Sequence, residues 1–312
     1  MNRSNDNKIT LVSAFFNINR EEWKKFSRND ELYFSYFEHW ARIKNELIVF
    51  VESKEYKKRI FEIRDKFGNK EKTKVIIVED ILNIDQELYK TIEHVCSNRV
   101  HYDFRLQPNS PEVFNAKYNY IMALKMWCLK TAVENGLNSY SQLAWIDFGF
   151  GHGLEIYPKA EEFDFEWKYN FGDKIYLPAK MLDDGRPIFD IVRTMDVYVM
   201  GPLLVGNSEA WRKSWEMMKT AVYALANCGM TDDDQTELLM LSRMYPETFE
   251  LVTSVSWGTF LKENGGGHLT LSQRNPLKEK ISKMKIVKIR LKIKKFSKVI
   301  RYLLKQYKYM MG

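Results

Sequence analysis

Residues 141–153 read SQLAWIDFGFGHG. The run through Ile146 is short, apolar and bounded by turn-formers, which predicts a buried strand delivering Asp147 to its carboxyl end. Immediately upstream, PEVFNAKYNYIMALKMWCLKTAVEN (111–135) opens on Pro-Glu and stops before Gly136, as a helix does. The same alternation recurs toward the amino terminus. ITLVSAFF (9–16), ELIVFVE (46–52) and KVIIVED (74–80) are expected strands, with helices expected over 30–43, 54–66 and 86–97. Short strands alternating with helices mark βαβ units, so the expected fold is α/β with a mainly parallel central sheet flanked by helices. Downstream, FDIVRTMDVYVMGPLLVGNS (189–208) predicts strands broken at Gly201-Pro202. A helix over 208–228 with Ser208 as N-cap follows, then one over 231–246 capped by Thr231 or Asp232, and a strand over 249–255.

Composition bounds the rest. With 45% hydrophobic and 14% aromatic residues, the 312-residue chain can build a packed core. Cys96, Cys128 and Cys228 are odd in number and widely spaced, which argues against a disulfide scaffold or a zinc site. The polar start MNRSNDNK does not read as a signal peptide, and no apolar run approaches the roughly 18–20 residues needed to span a bilayer.

The net charge of +7 is unevenly spread. Residues 277–312 hold 13 Lys/Arg against one acid, Glu279, whereas residues 1–276 hold 35 basic and 40 acidic residues. An acidic body argues against a nucleic-acid surface, and the tail is expected to do its own binding. Ile286, Ile289, Ile293, Phe296, Ile300, Leu303, Tyr307 and Met310 recur at spacings of three and four. That pattern predicts a basic amphipathic helix suited to an anionic membrane surface. The alternatives are packing on the body or a partner helix, or a strand, since residues 288–294 also alternate. The expected organisation is a single domain over 1–272 and a tail over 273–312.

Four groups are candidates for chemistry. Asp147 ends a strand beside Gly149, Gly151 and Gly153, where a carboxylate can hold a divalent cation or a ribose hydroxyl and glycines admit a phosphate. The alternative is an Asx-turn that merely closes the strand. GMTDDDQ (229–235) stacks three carboxylates at a helix start, more than capping requires, so Asp233, Asp234 and Gln235 can orient or deprotonate a hydroxyl. His268 follows three glycines and is a candidate to complete a metal site, against a plain flexible exit from the domain. Asn17 and Arg20 after the first strand, with Lys117 and Lys125 on the long helix, are candidates to meet a diphosphate.

Together these segments resemble glycosyltransferases of the GT-A type, and more narrowly the HtrL/YibB family associated with bacterial surface-polysaccharide and lipopolysaccharide core loci. The resemblance rests on TLVSAFFNINREEW, PEVFNAKYNYIMALK, WIDFGFGH and GPLLVGNSEAW…DDDQTELL…YPETFEL, in that order over roughly residues 9–260. It implies a GT-A-like domain binding a nucleotide-sugar, a UDP-sugar by preference. Asn17, Arg20, Lys117, Lys125, Asp147, Gly149 and Gly206 would lie on the donor, and Asp233, Asp234 and Gln235 at the acceptor. It also implies Mn²⁺ or Mg²⁺, which GT-A enzymes hold with Asp-x-Asp. Here the motif reads Asp147-Phe148-Gly149, so Asp147 would need His268 or water to complete the ligand set. The implied acceptor is a glycan or lipid-linked glycan at the inner face of the membrane, reached by a cytoplasmic, peripheral enzyme. Either anomeric outcome is compatible with the Asp-Gln pair. The rivals are a sugar nucleotidyltransferase, which the glycine-free FFNINREEW disfavours, and a non-enzymatic adaptor acting through the tail.

Overall fold

The computed structural model describes residues 4–23, 27–151 and 158–271, with side chains described from residue 7. The expected amphipathic tail, and His152, lie outside these residues. The chain divides after Leu271.

The amino half builds as its periodicity predicts. β1 (Ser4–Phe15) is followed by α1 (Asp30–Trp40), β2 (Leu47–Val51), α2 (Lys54–Lys66), β3 (Thr73–Ile77) and α3 (Gln86–Cys96). Each helix starts on a side chain that accepts a backbone N–H: Asn29 from Leu32, Ser53 from Tyr56 and Asp85 from Leu88. α4 (Arg99–Phe104) and α5 (Pro111–Phe114) follow.

The long helix expected over 111–135 is in fact two. α5 ends at Asn115, whose side chain accepts from Tyr118 N at 3.0 Å and caps α6 (Ala116–Glu134). An N-capping side chain after the first four residues of the expected helix breaks it, because its oxygen competes for the backbone donors.

β4 (Tyr140–Ile146) is the strand expected before Asp147. β5 (Ile175–Ala179) was not expected from the sequence. The segment expected as strands over 189–208 begins instead as a helix, α7 (Ile188–Thr194), and only β6 (Leu203–Asn207) is a strand. α8 (Ser208–Ala226) is capped by Asn207, not Ser208. Asp233, rather than Thr231 or Asp232, caps α9 (Asp234–Met244), and β7 (Phe249–Thr253) and α10 (Trp257–Glu263) complete the described body.

The seven strands form one sheet in the order β3-β2-β1-β4-β6-β5-β7. β3, β2, β1 and β4 are mutually parallel, and β6 runs antiparallel to both neighbours. β5 and β7 pair in parallel, so the sheet is mixed and mostly parallel. Both faces are covered. Val12, Phe50 and Trp145 point to one core, with Tyr120, Leu124, Trp211 and Leu238 from α6, α8 and α9. Leu11, Val49 and Ile146 point to the other, with Phe37, Trp40, Ile60 and Phe260. The two-residue alternation of each strand thus feeds two cores, as a doubly covered sheet requires.

The chain leaves β1 toward β2 and β3, then returns to place β4 on the other side of β1. The carboxyl ends of β1 and β4 therefore flank a point where strand order reverses. Crevices at such points are where open α/β sheets bind ligands.

Candidate functional site

Asp147 leaves β4 into a tight turn. Its N–H donates to Pro202 O at 3.0 Å and its carbonyl accepts from Phe150 N at 2.8 Å. The turn is closed by backbone, so the carboxylate is not spent on an Asx-turn. Instead its Oδ1 accepts from the Trp145 indole at 2.6 Å and lies 3.0 Å from Lys125 Nζ. Lys125 comes from the middle of α6, a helix buried on most sides between the sheet and α8. Its ammonium donates to Asp234 Oδ2 at 2.7 Å and to Gly201 O at 3.3 Å. Lys125 and Asp234 side chains are each only 3% exposed. Burial alone would lower the lysine's affinity for its proton, but Asp147 and Asp234 outweigh it and hold the group charged above its ordinary range.

Gly201 makes this approach possible. A Cβ there would meet the Asp234 carboxylate at 2.1 Å from Oδ2 and 2.9 Å from Cγ. The residue expected only to interrupt a strand therefore lets a helix N-terminus press its acid against the backbone.

Around the start of α9 the acids outnumber their cations. Asp233 accepts from Gln235 N at 3.1 Å. Asp232 pairs with the buried Arg105 at 3.2 Å and accepts from Thr236 Oγ1 at 2.8 Å. Arg105 also donates to the carbonyls of Thr231 and, at 2.9 Å, Val192, tying the loop before α9 to α7. Glu237 and Glu112 each keep one carboxylate oxygen buried without a partner. Burial and mutual repulsion push Asp233 and Glu237 well above the ordinary carboxylate range. Asp232, Asp234 and Glu112 rise too, chiefly through burial, opposed by Arg105 for Asp232 and by Lys125 for Asp234. Arg105, Glu112 and Glu237 carried no signal in the sequence that separates them from surface charge.

Two cavities meet at this assembly. A cleft of about 150 Å³ at the β1/β4 crevice is lined by Phe15, Arg20, Arg28, Tyr33, Trp145 and Gly149, among others. A second cavity of about 290 Å³ includes Lys180, Pro202, Asp234, Gln235 and Trp257 in its lining. Tyr118, Met122, Lys125 and Asp147 line both. The cleft sets Arg20, Arg28 and Lys125 against Glu21, Asp30 and Asp147 among aromatic rings. Arg20 donates to Tyr33 Oη at 2.9 Å and lies over the Trp23 ring, 5.0 Å from its centroid. Arg28 keeps Nη1 buried with no hydrogen-bond partner.

Asn17 also lines the cleft, and the other expected residues make contacts of their own. The Asn17 amide donates to Asp30 and Tyr56, and its carbonyl takes the Lys117 ammonium at 3.0 Å, so both residues brace the loop after β1. Gly206 pairs with Leu143 near the amino end of β4, whereas the end at Asp147 pairs with Leu203. Its missing side chain is explained by β5, since a Cβ would lie 2.9 Å from Ile175 Cα. His268 contacts the Glu162 carbonyl at 2.8 Å and the Phe165 ring, not Asp147. The expected metal pair is therefore not assembled. Among the described residues no group of three or more His, Cys, Asp or Glu is set to hold a metal. Around Asp147 the donor set does not fit a divalent ion, because Lys125 stands between it and Asp234 and the second Asp-x-Asp position is Gly149.

Comparison with known proteins supplies the family. Residues 7–262 match the model described as "Bacterial protein of unknown function (HtrL_YibB)". The chain belongs to the HtrL/YibB family. It is 28% identical to Protein HtrL of Escherichia coli (strain K12), over 78% of this chain and 86% of that protein. Among solved structures, mouse xyloside xylosyltransferase 1 in its apo form aligns at 14% identity over 78% of this chain and 84% of that one, with TM-score 0.39. The glycosyltransferase GlyE of Streptococcus pneumoniae TIGR4 aligns at 12% identity over 78% and 46%, with TM-score 0.34.

Proposed function

We propose that this HtrL/YibB protein is a glycosyltransferase that moves a sugar from a nucleotide-sugar donor, by preference a UDP-sugar, to a hydroxyl of a bacterial surface glycan. One observation carries the reading. Two cavities, one at the reversal of strand order and one at an acidic helix start, share Tyr118, Met122, Lys125 and Asp147. A group-transfer enzyme needs such a pair, with the reacting bond at their junction.

In this reading the nucleoside diphosphate lies in the cleft, its base against Phe15, Tyr33 or Tyr118 and its phosphates toward Arg20 and Arg28. The acceptor enters beside α9. Its hydroxyl oxygen bonds to the anomeric carbon as the bond from that carbon to the diphosphate breaks, and the electron pair of that bond leaves with the nucleoside diphosphate. The hydroxyl proton passes to Asp234, which lines the acceptor cavity and which Lys125 opposes burial in keeping ionised. The Gln235 amide orients the acceptor, and Asp233 holds the helix start in place.

The glycan acceptor rests on the sequence resemblance to surface-polysaccharide loci. The charge of residues 277–312 supports work at an anionic inner leaflet, and no helix among the described residues is long and apolar enough to cross a membrane. The deciding measurement is thermal stabilisation of the full chain by UDP, GDP, CDP and their sugar conjugates, with and without Mn²⁺. Stabilisation by one nucleotide family is expected, and indifference to every nucleotide would sink the reading.

A further inference from the structure

The position between Asp147 and Asp234 is already occupied by a cation. Lys125 Nζ lies 3.0 Å from one carboxylate and 2.7 Å from the other, and Gly201 O accepts at 3.3 Å. These contacts account for the three protons an ammonium offers. The side chain comes from the middle of α6 and is 3% exposed, buried at the junction of the two cavities it lines. A divalent ion at Asp147 would meet this ammonium at contact distance, or would have to part it from its carboxylate partners, and separating a buried ion pair is strongly disfavoured. Gly201 reinforces the arrangement, because only a residue without Cβ lets Asp234 close on the lysine from the far side.

With its protons so engaged, Lys125 has none left for a phosphate. The cleft supplies that charge separately. Arg28 lines it, and its Nη1 is buried without a partner. A guanidinium in that state lacks the acceptor that a phosphate oxygen offers.

We propose that this chain binds its nucleoside diphosphate without a divalent cation: Lys125 stands in the cation's place between Asp147 and Asp234, and Arg28 is a charged donor to the diphosphate. The inference rests on the transferase reading for its ligand, but its core, a lysine in a metal's position, does not.

The test therefore has two arms on the purified full chain. In the first, UDP is titrated calorimetrically in EDTA and again in MnCl₂. Equal affinity in both is expected, and binding only with Mn²⁺ overturns the proposal. Arg28→Ala should weaken UDP ~10-fold while leaving uridine binding unchanged, and an equal loss for both ligands removes Arg28 from the diphosphate. If UDP binds in neither buffer and GDP and CDP fail likewise, the transferase reading falls and the ligand assignment with it.

The second arm uses Mn²⁺ alone, followed by its electron paramagnetic resonance signal. Wild type should leave Mn²⁺ free, whereas Lys125→Met should sequester it between the two carboxylates and Lys125→Met/Asp234→Asn should release it again. Tight Mn²⁺ binding by wild type that Asp147→Asn abolishes overturns the proposal without any lysine variant. That comparison keeps the arm decisive should Lys125→Met fail to fold.

Discussion

The two cavities share four residues and little else. The cleft between β1 and β4 carries arginines among aromatic rings, one with a donor still unspent. The cavity beside α9 borders a buried excess of carboxylates, in which Glu112 and Glu237 keep acceptors unspent. On the proposed reading one side receives the negative charge of the diphosphate, and the other a proton or a hydroxyl. Lys125 stands at the border and neutralises an acid on each side of it. The lesson concerns desolvation. Carboxylates this buried persist only beside a cation or as protonated acids, so the acidic side is built around its ions, while the cleft leaves its ion for the ligand.

The largest way to break this contrast is to remove the border. Lys125→Met leaves Asp147 and Asp234 uncompensated and is expected to cost about 3–5 kcal/mol of stability at pH 8, read by urea denaturation. A loss below about 1 kcal/mol, the scale of an exposed pair, would mean that the carboxylates are effectively solvated.

Next comes pH. His101 is fully buried, and burial with the nearby Arg105 charge lowers it from 6.5 to about 4. Below pH 6.5 the unfolded chain binds a proton that the folded chain refuses, so this residue's contribution falls as pH drops from 6.5 to 4. The loss is about 3 kcal/mol by linkage. The raised acids Asp233 and Glu237 act in the opposite sense, because they are protonated more readily when folded. His101→Phe isolates the first effect: its stability relative to wild type should rise as pH falls through that window. A pH-independent difference would place the ring in contact with solvent.

Two glycines, Gly201 just before β6 and Gly206 within it, sharpen the contrast further. Gly201→Ala and Gly206→Ala should each cost about 1–3 kcal/mol by overpacking. Only the first drives a Cβ into Asp234. Gly201→Ala should therefore slow transfer ~100-fold by displacing the acid, whereas Gly206→Ala should alter stability and leave turnover intact. Turnover assays on both variants decide whether the site ends at Gly201. The smallest effect belongs to Arg28→Lys, which keeps the charge but loses the fork and should weaken UDP by only a few-fold. Affinity as low as that of Arg28→Ala would show that geometry, not charge, holds the phosphate.

Most of the sheet was legible because its signals are local. The runs at 9–16, 46–52, 74–80 and 141–147 overlap strands β1 to β4, and Asn29, Ser53 and Asp85 cap the helices that follow the first three. The misses were local too. Asn115 splits a continuous apolar pattern by capping α6, and Phe189–Thr194 is helical although its β-branched residues read as strand. β5 carries a proline and only five residues, and its pairing with β7 decides it.

For the site, the residue types were visible and their association was not. Asp147, Asp233, Asp234, Gln235 and Lys125 stood out as acids at a strand end and a helix start, an amide beside the latter, and a lysine on an apolar helix. Nothing in one dimension joins Lys125 to Asp234, 109 positions away, or distinguishes Gly201, which admits Asp234, from Gly206, which admits β5. Periodicity and capping depend on neighbours within a turn or two, so the sequence by itself determined the α/β alternation and the strand end bearing Asp147. Strand order, the reversal beside β1 and the lysine held between two carboxylates arise from packing at long range. The balance of burial against charge there is set by every element that closes around the ion. That decision belonged to the tertiary structure.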